Sequence, residues 1–396
     1  MALELTSPEA PEDLESIGRK KITQGDLKEG VGLLIKAAKK YEGRGENLDA
    51  ARTYRHIASV LLSNPKLKNK ARPFLLKAAS LYIDLISKEI ERFEINLSRL
   101  EDFCINVIES FALLGDREKL EKYAKEFARM YEELAETYMD TDEIDSAIIA
   151  YESAYRYYKF IDAVEDIKSV AGQLIDLYGK ISKEYLDRKA HEKAADTFLR
   201  IAYFVKELFG YDAHYMEMAE TAAKNYETAS KLAYAEGNLD KTTSILLKAQ
   251  YAYLLAGNTA RAKLIGINLS RMLYQVINNL RSHGNHERAY KKMVELAQAI
   301  LGLGKLNEAI RIYKNTMEEE PKIGYKLEMR LALLKYLVAE KKDAHLLENV
   351  EQVEFYIRRG NLLKAFDIAQ RIIERQEGLE NFKKKLYEAE GITSSF

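Results

Sequence analysis

The sequence predicts an all-α protein, a right-handed superhelical solenoid of antiparallel helical hairpins. Three observations predict it. Ala, Leu, Lys, Glu and Tyr dominate, and only 5 Pro and 20 Gly occur in 396 residues, a helix-favouring balance. Short turn-like stretches recur along the chain, each followed by Ala and by apolar residues at helical spacing. The recurrence also keeps a fixed register. No sustained period-2 alternation is present, so no strand is expected.

The turns come in order at Gln24-Gly25-Asp26, Gly45-Glu46-Asn47, Gly115-Asp116, Thr141-Asp142-Glu143, Gly237-Asn238, Gly257-Asn258, Gly284-Asn285, Gly304-Lys305 and Gly360-Asn361. Gly closes a helix in the left-handed conformation, and Asn or Asp caps the next one. Gly237 and Gly257 are 20 residues apart, Gly257 and Gly284 27, and Gly284 and Gly304 20. The pair period is therefore 47, and Ala147, Ala194, Thr242 and Ala289 hold the same period at spacings of 47, 48 and 47. Such a fixed period is the mark of a repeat architecture, in which each hairpin buries an apolar stripe against its neighbours.

Each hairpin also carries a side-chain pattern of alternating large and small residues. Tyr131, Leu134, Ala135 and Tyr138 precede Ala147, Tyr151 and Ala154. Tyr178, Ile181, Ser182 and Tyr185 precede Ala194, Phe198 and Ile201. Tyr226, Ala229, Ser230 and Ala233 precede Thr242, Leu246 and Ala249, and Met293, Leu296, Ala297 and Ile300 precede Ala309, Tyr313, Thr316 and Pro321. Near the start, Leu34, Ala37, Ala38, Tyr41, Ala50, Tyr54 and Ile57 repeat it. Small residues let two helices cross closely, and large ones fill the groove beside the crossing. On these residues, over roughly 20–380, the chain resembles the tetratricopeptide-repeat superfamily, whose usual period is about 34 residues. The longer period implies helices of about 20 residues or more and is similar to the soluble NSF attachment protein (SNAP) branch. More distantly it resembles the helical repeats of proteasome-lid and coat-complex subunits.

Domain limits follow from local composition. Residues 1–15 are expected to form an N-terminal extension and 16–320 the hairpin solenoid. Residues 321–390, beyond the joint Glu318-Glu319-Glu320-Pro321, are expected to form a C-terminal helical cap, and 391–396 a flexible tail. Helices are expected around 325–341, 344–358, 362–375 and 379–390.

Composition narrows the function. Hydrophobic residues are 47% and charged residues 31%, which excludes a disordered chain. Lys plus Arg is 61 against 62 Asp plus Glu, for a net charge of -1. The basic excess of an extended nucleic-acid-binding surface is absent. The single cysteine, Cys104, lies in the apolar run Phe103-Cys104-Ile105 and is expected in the core. One cysteine allows no internal disulfide and no cysteine-based zinc site. Lys and Glu richness with scarce Cys matches a thermophile's composition. No basic start precedes an apolar stretch, and no window reaches the ~20 apolar residues of a membrane span. A cytoplasmic location is expected.

Few residues suggest chemistry. His283 and His286 share the turn Ser282-His283-Gly284-Asn285-His286 without further ligands beside Glu287, so a solvated turn is expected and no metal. Gly302-Leu303-Gly304-Lys305 lacks the spacing and the Ser/Thr of a phosphate loop. Some tetratricopeptide proteins grip a C-terminal carboxylate with a Lys/Asn/Arg clamp. The corresponding positions here, taken as exposed, are Glu132, Glu136, Gly179, Lys183, Glu227 and Lys231, and no such clamp forms. The strongest partner-binding candidate is the aromatic run Tyr151, Tyr155, Arg156, Tyr157, Tyr158 and Lys159. One helical stripe cannot bury all of its rings, so Tyr151 and Phe160 are expected inside and some of Tyr155, Tyr157 and Tyr158 outside. Tyr and Arg are favoured at interface hot spots. The basic loop Lys66, Lys68, Lys70 and Arg72, within Ser63–Pro73, is a second candidate, and Lys383-Lys384-Lys385 resembles it. Resemblance to SNAP adaptors would imply an apolar N-terminal loop at a membrane and an apolar C-terminal end on an ATPase. Val31, Leu33, Leu34 and Ile35 instead fit a buried helix face.

The expected function is a non-enzymatic adaptor or scaffold that binds a protein partner in its groove or along an edge. No cofactor and no small-molecule substrate are expected, nucleic acid is disfavoured, and any membrane contact is peripheral. The alternatives are a structural subunit of a lid- or coat-like assembly, which would show a large apolar patch on one edge, and an RNA-binding solenoid.

Overall fold

The structure is a computed structural model that describes residues 10–320, 322–377 and 379–390. Eighteen α-helices and no strand occur among them. In order they are α1 (Pro11–Thr23), α2 (Leu27–Gly43), α3 (Asn47–Leu62), α4 (Arg72–Ile90), α5 (Leu97–Leu114), α6 (Arg117–Asp140), α7 (Ile144–Phe160), α8 (Val164–Asp187) and α9 (His191–Phe209). The second half holds α10 (Ala213–Ala235), α11 (Leu239–Leu255), α12 (Thr259–Ser282), α13 (His286–Leu301), α14 (Leu306–Glu319), α15 (Ile323–Lys341), α16 (Ala344–Arg358), α17 (Leu362–Glu374) and α18 (Glu380–Ala389). The chain divides into two compact units after Gln173, inside α8. The expected tail 391–396 and Pro321 lie outside the described residues. Of the expected N-terminal extension, 11–15 are already the first turns of α1.

The described helices pair as antiparallel hairpins, as the sequence predicts. The expected turns place Gly237 and Gly257 at φ +73° and +75°, and Asp142 takes the same left-handed position at φ +60°. Asn238 and Asn258 then cap the next helix by accepting from the backbone N–H of Lys241 and Arg261, which satisfies donors left open at a helix start. Helix lengths differ from the expected 20 residues or more. A long helix alternates with a shorter one: α6 and α12 have 24 residues, whereas α7 and α11 have 17. The period of 47 is thus made by an unequal pair.

In the first unit each helix packs on its neighbours in sequence from α1 to α7, and α5 also reaches α7. Ala37, Ala38, Ala50, Ala51, Ala135, Ala147 and Ala154 are fully buried at the crossings. At the crossing of α1 on α2 the two backbones come close. A methyl group added at Gly30 would lie 2.8 Å from the Gly18 carbonyl oxygen and 3.0 Å from the Ile22 amide nitrogen. The second unit stacks α9 to α14 in the same way and then departs from it. There α15 packs on α11 and α13, α17 on α15 and α16, and α18 on α14. A fully buried ion pair fastens this end: Arg330 of α15 donates to Glu390 at 2.5 and 2.7 Å, and Tyr313 of α14 donates to the same carboxylate at 2.7 Å.

Tyr313 belongs to a recurring device, a buried tyrosine whose hydroxyl donates to a carboxylate on an adjacent helix. Tyr41 reaches Glu15 at 3.0 Å, Tyr54 reaches Glu42 at 2.6 Å and Tyr226 reaches Asp196 at 2.5 Å. Tyr158 donates to Glu132 in the same manner. A ring fills the groove while its polar tip is satisfied, which gives 26 Tyr and no Trp a structural meaning.

Two predictions follow from packing. Gly30→Ala should destabilise the docking of α1 by about 1–3 kcal/mol, because backbone atoms of Gly18 and Ile22, as well as the Ile22 side chain, block the methyl,. Limited proteolysis would show earlier cleavage between α1 and α2. The second concerns alkali. Burial, then Glu227, pushes Tyr253 up to about 12, and burial first, then a carboxylate, raises Tyr41, Tyr54, Tyr158, Tyr226 and Tyr313. Folding therefore favours the protonated phenol. This stability is complete below pH ~10, the unfolded value, and declines above it by up to ~1.4 kcal/mol per pH unit for each tyrosine. Denaturant melts between pH 8 and 12 should show the decline, with tyrosinate absorbance rising together with loss of helix.

Candidate functional site

Two side-chain constellations stand out, one in each unit. In the first unit α7 brings together the residues singled out from the sequence, but it buries them. Tyr151 is buried as expected, but Tyr155, Tyr157 and Tyr158 are buried as well, and Phe160, expected inside, is 52% exposed. The reason is the number of neighbours. Because α7 packs on both α5 and α6, more than one of its stripes is covered. The Tyr157 ring stacks on Tyr131 at 5.9 Å and meets Phe127 edge-on at 5.8 Å. Arg156 donates from Nη2 to Glu101 at 2.9 Å, and Ser153 donates to the same carboxylate at 2.6 Å. Lys159 is half-buried. Beneath them Cys104 is fully buried, and burial pushes its thiol far above the usual range, away from reactivity,. The aromatic run is therefore the core of the first unit and not an exposed hot spot.

The other candidates are placed as follows. Lys66, Lys68 and Lys70 are exposed beside a short 3-10 turn, and Arg72 is the exposed first residue of α4. His283 and His286 are exposed. Among the described residues no group of three or more His, Cys, Asp or Glu could hold a metal ion, and no described helix is long and apolar enough to cross a membrane. Leu34 is fully buried and Val31, Leu33 and Ile35 half-buried. Glu132 and Glu227, taken as exposed groove positions, are engaged within the fold. Glu132 receives Tyr158, and Glu227 receives Arg261 through two bonds of 2.8 and 2.5 Å.

The second unit contains a half-open cleft of about 580 Å³, walled by α9, α10, α11, α13, α15 and α16. It arises because α15 crosses onto α11 and α13 and leaves a gap along one side. One face of α15 enters it, with Glu328, Leu331, Ala332, Lys335 and Tyr336 at helical spacing, opposite Leu247, Lys248, Tyr251 and Leu254 of α11,. Most of its charges are paired. Arg200 of α9 donates to Glu351 of α16 at 2.6 Å and lies 5.4 and 5.3 Å from the rings of Tyr203 and Phe204. Lys335 pairs with Glu354 at 2.6 Å and lies 5.4 Å from the Tyr251 ring. Burial alone would push the Glu354 carboxyl up, but Lys335, with Arg358 and Arg200 behind it, holds it below the usual range. Lys248 pairs with Asp196 at 3.2 Å. Burial would lower its ammonium, yet Asp196 and Glu192 raise it.

Glu328 differs. It is half-buried, and among the described residues no cation lies within ion-pair distance of it. Burial raises its carboxyl, Glu295 adds to the rise, and Lys291 opposes it. Tyr215, on the same cleft wall, is 2% exposed, and its buried hydroxyl has no hydrogen-bond partner. No histidine or cysteine is among the lining residues. The sequence did not reveal this site. The walls lie up to about 160 residues apart in the chain, and Glu328 and Lys335 look like ordinary solvated helix positions until α15 is placed on α11.

These placements separate the two sets of residues by experiment. Tyr157→Ala should cost about 3–5 kcal/mol of stability, as for other large aromatic core truncations. Replacing Lys66, Lys68 and Lys70 with Ala should stay within about 0.5 kcal/mol of wild type. Chemical denaturation followed by circular dichroism would measure both.

No protein-family model matches the chain, and no curated protein matches it. Solved structures of helical-repeat proteins do match along most of their length, at low similarity. A circular tandem repeat protein with novel repeat topology is 16% identical over 96% of both chains, with a TM-score of 0.29. A Rap protein complexed with competence and sporulation factor is 16% identical over 91% of this chain and 99% of its own, with a TM-score of 0.27. Yeast Tom70 is 15% identical over 98% of this chain and 89% of its own, with a TM-score of 0.25. The tetratricopeptide-like character of the chain is carried by its own hairpins.

Proposed function

We propose that this protein is a non-enzymatic interaction scaffold that holds a segment of a protein partner in the cleft of its second unit. The observation that supports this is the cleft itself. It is wide enough for several side chains, half open, and lined by tyrosine, arginine and leucine on rigid helices. Rigid aromatic walls with a few placed charges suit recognition at little entropic cost. The 24-residue helices α6 and α12 support a lengthened, SNAP-like form of the repeat. The basic stretch Lys66, Lys68, Lys70 and Arg72 is a secondary contact for an acidic partner.

A second reading has its own support. Leu232, Tyr234, Leu264 and Ile267 are 43–61% exposed on α10 and α12, around a groove between α10, α11 and α12 lined by Tyr234, Leu246, Leu264 and Met272. A contiguous apolar patch of this kind suits a subunit of a fixed assembly.

A photo-crosslinking amino acid placed at Leu247, inside the cleft, and another at Leu264, on the apolar patch, would decide between them in the native lysate. The scaffold reading expects a discrete protein adduct at 247. An adduct at 264 alone, together with migration as part of a large complex, would favour the fixed assembly. Nuclease-sensitive adducts, or turnover of a substrate by the cleft, would overturn both.

A further inference from the structure

The cleft has a charge account that does not close. Arg200 is matched by Glu351, Lys335 by Glu354 and Lys248 by Asp196. Glu295, on the α13 wall, is matched by Lys292 at 2.8 Å. Of the lining charges that leaves Glu328, Lys291 and Arg358. Lys291 and Arg358 are exposed to water, whereas Glu328 is half-buried. A carboxylate withdrawn from water without a partner destabilises the protein that carries it. Unfavourable local arrangements of this kind concentrate where a ligand completes them.

We propose that the cleft takes an extended polypeptide segment bearing a lysine or arginine, whose cation pairs with Glu328. This rests on the scaffold reading and gives it a specificity. The stem of such a side chain would lie along Leu331 and Tyr336, which share the α15 face with Glu328. Long basic side chains bury their stems in this way while the charged head finds its partner. A single basic side chain does not fill about 580 Å³. The apolar wall of Leu247, Leu254 and Val350 is left for its neighbours in the segment, which favours a peptide over a small free cation. Arg200 and Lys335 are already taken by Glu351 and Glu354, so an acidic segment finds neither of these buried cations unpaired.

The test uses the full chain and fluorescein-labelled hexapeptide pools, each with one fixed residue: Lys, Arg, Gln or Glu. Binding is read by anisotropy for wild type, Glu328→Gln and Glu328→Asp. The Lys and Arg pools should bind wild type tightest, lose about tenfold or more in affinity for Glu328→Gln, and keep part of it for Glu328→Asp. The thermal midpoint of Glu328→Gln should equal or exceed that of wild type, whereas a purely structural carboxylate would lower it. Pools that bind without regard to charge, or a Lys preference that survives Glu328→Gln, would overturn this proposal and leave the scaffold reading standing. Displacement of the Lys pool by equimolar spermidine would overturn it in favour of a small cation. No binding by any pool, with no adduct at position 247, would overturn both.

Discussion

The close crossing of helices at alanine and glycine is the constraint from which the remaining features follow. When Ala37, Ala38 or Ala147 lets two backbones approach, the groove beside the crossing deepens,. A deep groove needs a large side chain, and near a helical surface a purely apolar ring would leave the rim to solvent. Tyrosine fits both demands, provided its hydroxyl has an acceptor. The carboxylates that accept from Tyr54, Tyr158 and Tyr226 sit on the adjoining helix, so each ring both fills a groove and sets the rotation of one helix against the next. These carboxylates, which look like solvated surface in composition, are in this way part of the packing.

The same constraint explains what could be read from the chain and what could not. Crossing residues, turn residues and caps act over a few positions, so the hairpins, their register and the four C-terminal helices were legible. Turns at Asp162 and Lys189 were not: there a non-glycine residue holds the left-handed position, at φ +56° and +57°, and Ala163 and Ala190 follow in place of a capping Asn or Asp. The burial of Tyr155, Tyr157 and Tyr158 was also illegible. A helical wheel assumes one buried stripe, and α7 has packed neighbours on more than one side. The cleft depends on α15 meeting α11, a contact between segments about eighty residues apart that no local pattern encodes.

The first helices and the last are seated by different means. In the first unit α1 seats on α2 through Gly18 and Gly30, with the side chains of Ile22 and Leu34 beside them. At the end of the second unit, α15 leaves the stacking order, and the buried Arg330–Glu390 pair with Gln370 and Tyr313 ties four helices together. A buried ion pair contributes little net stability compared with an apolar substitute, but it tolerates only one arrangement. Its presence here fixes α14, α15, α17 and α18 in one mutual arrangement.

That departure from stacking also changes how the second unit holds together in time. A simple array has only nearest-neighbour contacts, so it can fray from either end and nucleate anywhere. The contact of α15 with α11, and of Glu351 with Arg200 across 151 residues of chain, closes that open line into a ring of dependencies. Non-local closure raises contact order and slows folding. In return α9 to α16 are coupled, so that opening one helix at the cleft is felt by the others and the unit melts as a block rather than peeling from its end.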